Sequence, residues 1–180
     1  MHITFIQTGG TIDKDYPRGE TNHGYEFAIT DAAVKSILPF SHAMFTYDIV
    51  EVAKKDSLDL TDSDRQNILE AVQKAGSNHV VITHGTDTMV NTAEVLSGNV
   101  EGKTVVMTGA MLPEKFINSD ARFNVGMAVA AVQSLGSGVY IALYGCVVPW
   151  KEFKALNNEY ELRSRSVLTH GKDFDDPVRF

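Results

Sequence analysis

Short apolar runs alternate along the chain with segments whose apolar positions follow a helical period. The apolar runs, which predict β-strands, cover residues 3–6, 45–52, 79–83, 103–108 and 139–143. The segments between them, which predict helices, cover residues 30–39, 61–76, 89–96 and 120–135. Strands and helices in this order form a parallel sheet between two helix layers, joined by right-handed crossovers. The expected fold class is a three-layer α/β/α sandwich with a mostly parallel, flavodoxin-like sheet.

Two segments do not follow this alternation. Residues 13–25 are rich in charges and in residues that break regular structure, which predicts a long loop directly after the first strand. Such a loop either closes over a ligand at the strand end or is an exposed linker, and the sequence leaves both interpretations open. Residues 147–180 have mixed charge and no period, so we expect an irregular tail.

Polar or small residues follow the predicted strands at the point where each strand ends. Thr11, Ser57, the pair Thr86 and Asp87, and Ala110 come after the first four strands in turn. In open α/β sheets the carboxyl ends of the strands border the ligand crevice. We therefore expect these residues to share one edge of the sheet and to form the functional site.

Gly-Thr pairs mark two of these strand ends. Residues 8–12 read Thr-Gly-Gly-Thr-Ile, where adjacent glycines permit a turn that a Cβ would obstruct, and residues 84–88 read His-Gly-Thr-Asp-Thr. The first motif alone is more typical of a phosphate-binding or plain tight turn than of a nucleophile. Ser57 alone is better explained as the cap of its turn. The second motif, with a carboxylate beside its threonine, makes a shared chemical role the better interpretation.

Composition narrows the classes of partner. A chain of 180 residues with 43% hydrophobic content suits one core, so we expect a single domain over residues 1–180. The formal charge of −7 disfavours nucleic acid and anionic membranes, which bind basic faces. Cys146 is the only cysteine, and neither a leader nor a membrane span is apparent. We expect a cytoplasmic protein that acts on a small molecule.

The two Gly-Thr motifs together carry a specific resemblance. The sequence resembles the bacterial-type L-asparaginase/glutaminase family, with further matches at residues 56–59, at 108–113, at Asp120 and at Phe123 with Asn124. The likeness extends from the first residue to about the fifth strand, and it is to short relatives that correspond to the N-terminal catalytic domain. The resemblance implies asparagine catabolism by an amidohydrolase that forms L-aspartate and ammonia without metal or cofactor.

The resemblance also implies roles for residues at the motif positions. Thr11 would be the nucleophile that forms an acyl-enzyme, and Thr86 would join a hydroxyl–lysine–carboxylate group that activates water. Asp87 would belong to that group and hold the substrate ammonium, while Ser57 would hold its α-carboxylate. By their positions in the family motifs, the remaining substrate-binding residues would be Gly10, Asp56, Gly85 and Ala110.

Two further catalytic positions are less clear from the resemblance. The family tyrosine that polarises the nucleophile matches Tyr25 best, with Tyr16 second. A gapless match puts Ala155 where the family has its lysine, so we assign the role to Lys154 after a one-residue shift, with Lys151 second.

Elementary chemistry supports these roles independently. A threonine hydroxyl is a weak nucleophile that needs a base or polarising donor close by. The oxyanion of a tetrahedral intermediate needs preorganised donors, which the backbone N–H groups of Thr86 and Ala110 can provide. A zwitterionic substrate requires both an anion and hydrogen-bond donors, as Asp87 and Ser57 offer.

Several features depart from the family or lie outside its chemistry. Leu58 replaces an expected glutamine, which removes a polar contact and weakens affinity or narrows specificity. The family's second domain, which lends a glutamate to a neighbouring protomer, is not in this sequence. His84 is expected to be structural, and Cys146 a small apolar residue. The six histidines lack ligand spacing, so we assign no metal.

Two alternatives from other functional classes remain. One is a non-catalytic module that senses asparagine or aspartate, against which stands the retention of both threonines. The other is the ammonia-generating part of a larger amidotransferase. We also expect a homo-oligomer based on a dimer, because a domain without the family's usual cover exposes apolar surface.

Overall fold

The apolar runs of the sequence build one central sheet. A computed structural model describes residues 1–16 and 27–169, with side chains described to residue 159. In chain order the elements are β1 (His2–Gly9), β2 (Lys14–Asp15), β3 (Ala28–Ile29), α1 (Val34–Ile37), β4 (Thr46–Lys55), α2 (Asp62–Lys74), β5 (His79–Thr83), α3 (Met89–Leu96), β6 (Thr104–Thr108), α4 (Ala121–Ser134), β7 (Gly138–Leu143), β8 (Cys146–Pro149) and α5 (Trp150–Thr169). Short 3-10 turns occur at Thr11–Asp13, Leu38–Phe40 and Ser57–Asp59.

The sheet is mixed but mostly parallel. Its strand order is β4-β1-β5-β6-β7-β8, and only the β7–β8 pairing is antiparallel. In register, Phe5 pairs with Val81, Val81 with Val106, and Val106 with Tyr140. β2 and β3 form a separate antiparallel ribbon. The carboxyl ends of β1, β4, β5 and β6 therefore lie along one edge, as predicted.

Alternate residues of the buried strands face two helix layers. Phe5, Val81 and Val106 belong to the core cluster that includes α1 and α4, whereas Ile82 and Met107 belong to the cluster that includes α2, α3 and α5. These side chains are almost completely buried. Helices on both faces of a mostly parallel sheet confirm the predicted three-layer α/β/α class.

Two helix starts illustrate which local signals hold. Thr61 caps α2 through a capping box with Asp64, as its sequence pattern indicates. Asp120 precedes α4 at the N-cap position, but its side chain makes no capping hydrogen bond to that helix. Phe123, in the first turn of α4, is 65% exposed.

The prediction of an irregular tail from residue 147 was wrong. Tyr144 (φ 56°) and Gly145 (φ 75°) form a two-residue turn between β7 and β8, and the 20-residue α5 follows. Positive φ at both central residues is the geometry of a type I′ hairpin. Phe153 of α5 is 1% exposed and stacks on Tyr144 with ring centroids 6.2 Å apart. Burial of this face stabilises a helix that charge composition alone obscured.

Among the described helices, none combines the length and the apolar character needed to cross a bilayer.

Candidate active site

Glycines let the turns at the strand ends touch one another through their main chains. The N–H of Gly10 donates to the carbonyl of Lys55 at 2.9 Å. A Cβ on Gly10 would overlap the backbone of Gly85, and a Cβ on Gly85 would lie 2.7 Å from Oγ of Ser57. Real Cβ atoms essentially never approach so closely, so only glycine permits this packing. The turns after β1, β4 and β5 thus form one continuous surface.

The turn after β1 presents Thr11 as a half-buried side chain. Gly10 precedes it at φ 85°, a conformation that favours glycine, and a 3-10 turn follows at Thr11–Asp13. The N–H of Lys14 donates to the Thr11 carbonyl, and Lys14 Nζ lies 2.8 Å from Oδ2 of Asp56. The Lys14 ammonium lowers the pKa of Asp56. An ion pair therefore joins the turn of Thr11 to the turn of Ser57.

Ser57 is completely buried and does not cap its turn. The cap is Asp56, whose carboxylate accepts from the N–H of Leu58 at 3.3 Å, which corrects the local interpretation of Ser57. Oγ of Ser57 has no hydrogen-bond partner among the described residues. A buried hydroxyl without a partner costs about 1–3 kcal/mol, and such groups often belong to functional sites. The adjacent Leu58 is 71% exposed.

The turn after β5 is anchored by His84. Its Nδ1 lies 2.7 Å from the carbonyl of Gly85, which can only accept, so Nδ1 carries the proton. Nε2 then accepts from the hydroxyl of Thr92 at 2.8 Å. Burial lowers the pKa of His84 to about 4, so the imidazole is neutral at pH 7. Beyond it, Thr86 is half-buried and Asp87 is exposed.

The turn after β6 places Ala110 next to this group. A Cβ on Gly109 would overlap the carbonyl of His84, so these turns also touch. Asn124 Nδ2 donates to the carbonyl of Gly109 at 3.0 Å and to Asp120 at 2.8 Å. The Asp120 carboxylate also accepts from the N–H groups of Met111 and Leu112, at 3.0 and 3.1 Å. α4 therefore holds the loop that carries Ala110.

The structure thus brings together most of the sequence-predicted set. The residues on the shared edge are Gly10, Thr11, Asp56, Ser57, Gly85, Thr86, Asp87 and Ala110. Lys154 lies in α5 with an exposed side chain, and in the described part of the chain it pairs with neither Thr86 nor Asp87. Lys151, the second choice, is exposed and lies over the ring of Trp150.

Of the two candidate tyrosines, only Tyr16 lies within the described residues. Tyr25 lies outside the described residues. Tyr16 is 39% exposed and stacks on Phe27 with ring centroids 4.2 Å apart. The assignment of the polarising tyrosine therefore stays a prediction.

The sequence analysis did not single out Asp13, a buried acid two residues after Thr11. Asp13 is 2% exposed, accepts from Gln7 at 3.0 Å and from the N–H of Ala33 at 2.7 Å, and borders a cavity of about 500 Å³. Burial raises its pKa to about 7, against the opposing effect of these bonds and of Lys54. An acid directly after a buried strand and a Gly-Thr turn was the available signal.

Among the described side chains, those of residues 1–16 and 27–159, no three His, Cys, Asp or Glu residues lie together in a group that could hold a metal ion.

Polar turns gathered at the carboxyl edge of a mostly parallel sheet are typical of the class of α/β domains whose ligands bind at the strand ends. The chain belongs to the asparaginase family: the family described as "Asparaginase, N-terminal" matches residues 2–159. This match confirms the resemblance carried by the two Gly-Thr motifs.

Individual relatives agree with this membership. A component of the glutamyl-tRNA(Gln) amidotransferase of Methanococcus vannielii is 29% identical over 156 residues, which cover 80% of this chain and 34% of the relative. Glutaminase-asparaginase of Acinetobacter glutaminasificans is 30% identical over 140 residues, covering 74% and 42%. The thermostable L-asparaginase from Thermococcus kodakarensis superimposes with a TM-score of 0.73 at 28% identity, covering 83% and 46%. The chain spans less than half the length of these proteins.

Proposed function

We propose that the chain hydrolyses the side-chain amide of L-asparagine to L-aspartate and ammonia. The main-chain contact of the Thr11, Ser57 and Thr86 turns carries this proposal, since it concentrates three motif hydroxyls at one edge. The names of the asparaginase and glutaminase-asparaginase relatives support the substrate class.

In this proposal Thr11 attacks the amide carbon and forms an acyl-enzyme, which releases ammonia. Water then attacks the ester and regenerates the Thr11 hydroxyl. The hydroxyl of Thr86 and the carboxylate of Asp87 would orient that water, and Asp87 would also hold the substrate ammonium. The unpartnered hydroxyl of Ser57 supports a bond to the substrate α-carboxylate.

Ammonia release from L-asparagine and L-glutamine tests the proposal. Thr11→Ala should lower release by at least about 10³-fold, because nucleophile loss typically removes most of an enzyme's rate enhancement. Thr46→Ala is the matched control: it deletes an exposed threonine hydroxyl at the start of β4, at the opposite end of the sheet. Circular dichroism should show both variants folded.

Wild-type protein that binds L-asparagine without releasing ammonia would contradict hydrolysis and favour a sensor module. Release that persists in Thr11→Ala would instead contradict the assigned nucleophile.

We propose that Lys154 is the lysine of the hydroxyl–lysine–carboxylate group and that it approaches Thr86 when substrate is bound. Lys154→Met should therefore reduce turnover, and Lys151→Met should not. Equal activity of both variants with wild type would remove α5 from the mechanism.

The similarity to an amidotransferase component favours a second candidate, the ammonia-generating part of a larger assembly. That function predicts weak ammonia release by the isolated chain and strong stimulation by a partner protein. Mixing the chain with an amidotransferase partner and measuring transfer to glutamyl-tRNA distinguishes it from a free hydrolase.

We also propose that the chain is a cytoplasmic homo-oligomer based on a dimer. Large apolar side chains are exposed near the site edge, among them Met111, Leu112, Ile117 and Phe123. Sedimentation of only monomer at micromolar concentration would contradict self-association.

A further inference from the structure

We propose that His84 and Asn124 are positioning residues that aim the backbone N–H groups of Thr86 and Ala110 at the oxyanion of the reaction. This inference rests on the proposed amide hydrolysis. It gives a purpose to two buried side chains that the chemistry of the threonines does not use.

Each of the two side chains holds one carbonyl. His84 Nδ1 donates to the carbonyl of Gly85 at 2.7 Å, and Asn124 Nδ2 donates to the carbonyl of Gly109 at 3.0 Å. His84 is 0% exposed and Asn124 is 2% exposed. Both contacts are therefore shielded from water. A hydrogen bond in such a low-dielectric interior is electrostatically stronger than one in water.

Holding a carbonyl also fixes the N–H of the same peptide unit. The carbonyl of Gly85 shares its plane with the N–H of Thr86, and the carbonyl of Gly109 shares its plane with the N–H of Ala110. No described peptide bond is cis, so in both units the N–H points away from the held carbonyl. Neither N–H donates to another group in the described part of the chain. Two free donors are thus oriented by two buried side chains.

Further contacts keep the holders themselves in place. Thr92 donates to Nε2 of His84 at 2.8 Å, which fixes the ring tautomer. Asp120 accepts from Asn124 at 2.8 Å, which fixes the orientation of the amide. The His84 N–H donates to the Thr108 carbonyl at 2.8 Å, so the two turns are joined by their main chains as well. Donors fixed before the reaction need no reorganisation when charge develops.

The kinetic test compares variants that lose a donor with one that keeps it. His84→Leu and Asn124→Leu should each lower kcat by about 10²-fold with KM within about threefold, because the donors act mainly in the transition state. His84→Asn, whose amide can still donate to the Gly85 carbonyl, should recover at least about tenfold of that loss. A merely structural role would not produce this split or this rescue.

Thr108→Val is the matched control. It deletes a buried side-chain donor to a carbonyl, that of Ala142 at 2.8 Å, but the held peptide lies outside the site. It should leave kcat within about threefold of wild type, even at a similar loss of stability.

A second readout does not depend on turnover. L-aspartate carries a side-chain carboxylate oxygen where the oxyanion would form, so its addition should shift the NMR amide signals of Thr86 and Ala110. His84→Leu should abolish the first shift, Asn124→Leu the second, and Thr108→Val neither.

The outcomes separate this inference from the proposed function. An active wild type with no amide shifts, or with kcat retained in both Leu variants, overturns the positioning role and leaves hydrolysis standing. An inactive wild type whose two amide shifts disappear in the Leu variants overturns hydrolysis and with it the oxyanion role, and leaves only the orientation of the two N–H groups toward a bound carboxylate. Absence of both activity and shifts overturns both.

Discussion

The turns after β1 and β5 carry the same Gly-Thr pair and touch one another. Each turn also contains one buried titratable side chain, Asp13 in the first and His84 in the second, and the pKa values of these two side chains shift in opposite directions. Burial raises the pKa of Asp13 to about 7 and lowers that of His84 to about 4. In both cases burial disfavours the charged form, but one group is an acid and the other a base. Both are neutral only between about pH 4 and about pH 7. Similar backbone geometry therefore does not imply similar electrostatics.

Gly10→Ala should break the contact between the two turns and has the largest expected effect. Its Cβ would overlap Gly85, and φ 85° disfavours any side chain. Overlap and conformation together should lower the free energy of unfolding by about 3–5 kcal/mol in urea titration. Gly126→Ala, in α4 with open space around it, should instead stabilise by up to about 1 kcal/mol. Equal stability of the two variants would show that the contact is dispensable.

Asp13→Asn should isolate the acid half of the comparison. The folded pKa of Asp13 lies above its unfolded value of 3.8, so its stabilising contribution is full below pH 3.8 and lost as pH rises to about 7. This loss amounts to up to about 4 kcal/mol and should vanish in Asp13→Asn. Unfolding measured from pH 3.5 to 8 checks this, with exposed Asp87→Asn as control. A slope unchanged in Asp13→Asn would exclude Asp13 as its source.

His84→Asn should isolate the base half. The folded pKa of His84 lies below its unfolded value of 6.5, so stability is intact above pH 6.5 and falls as pH drops to about 4. Protonation of His84 should by itself lower the free energy of unfolding by up to about 3 kcal/mol over that range, against the opposite contribution of Asp13. The His84→Asn variant should therefore gain stability relative to wild type as pH falls, whereas exposed His42→Asn should follow wild type. Parallel acid curves for all three proteins would contradict the assignment.

Lys14→Met should have the smallest effect. The Lys14–Asp56 pair is partly exposed, with 25% and 33% of the side chains accessible, and such pairs contribute about 0–1 kcal/mol. We expect a change within that range that shrinks in high salt, and a similar one for the exposed pair removed by Lys35→Met. A loss of several kcal/mol specific to Lys14→Met would show that the ion pair, rather than glycine packing, holds the turns together.

The sequence predicted the parallel strands and their shared edge well, because each strand is a buried apolar run followed by a turn signal. The hairpin before β8 escaped prediction because Tyr144, rather than Asn or Gly, occupies the first positive-φ position. Without that turn, the face of α5 around Phe153 had no visible core to join.

Two side chains near the site have hydrogen-bond partners other than those that a local pattern predicts. Asp120 stands where an acidic side chain often caps a helix, but it accepts from the loop eight and nine residues earlier. Ser57 was expected to cap its turn, but Asp56 does so. A local pattern shows that a side chain can accept a hydrogen bond, whereas tertiary packing decides which donor it receives.

The contact between Gly10 and Gly85 has a consequence for redesign of the candidate site. The two turns meet through main-chain atoms at Gly10 and Gly85, so substitution of exposed side chains nearby leaves the distance between the turns unchanged. Exposed Leu58, next to Ser57, can accordingly be varied to test substrate preference under the proposed function while the contact between the turns keeps its dimensions.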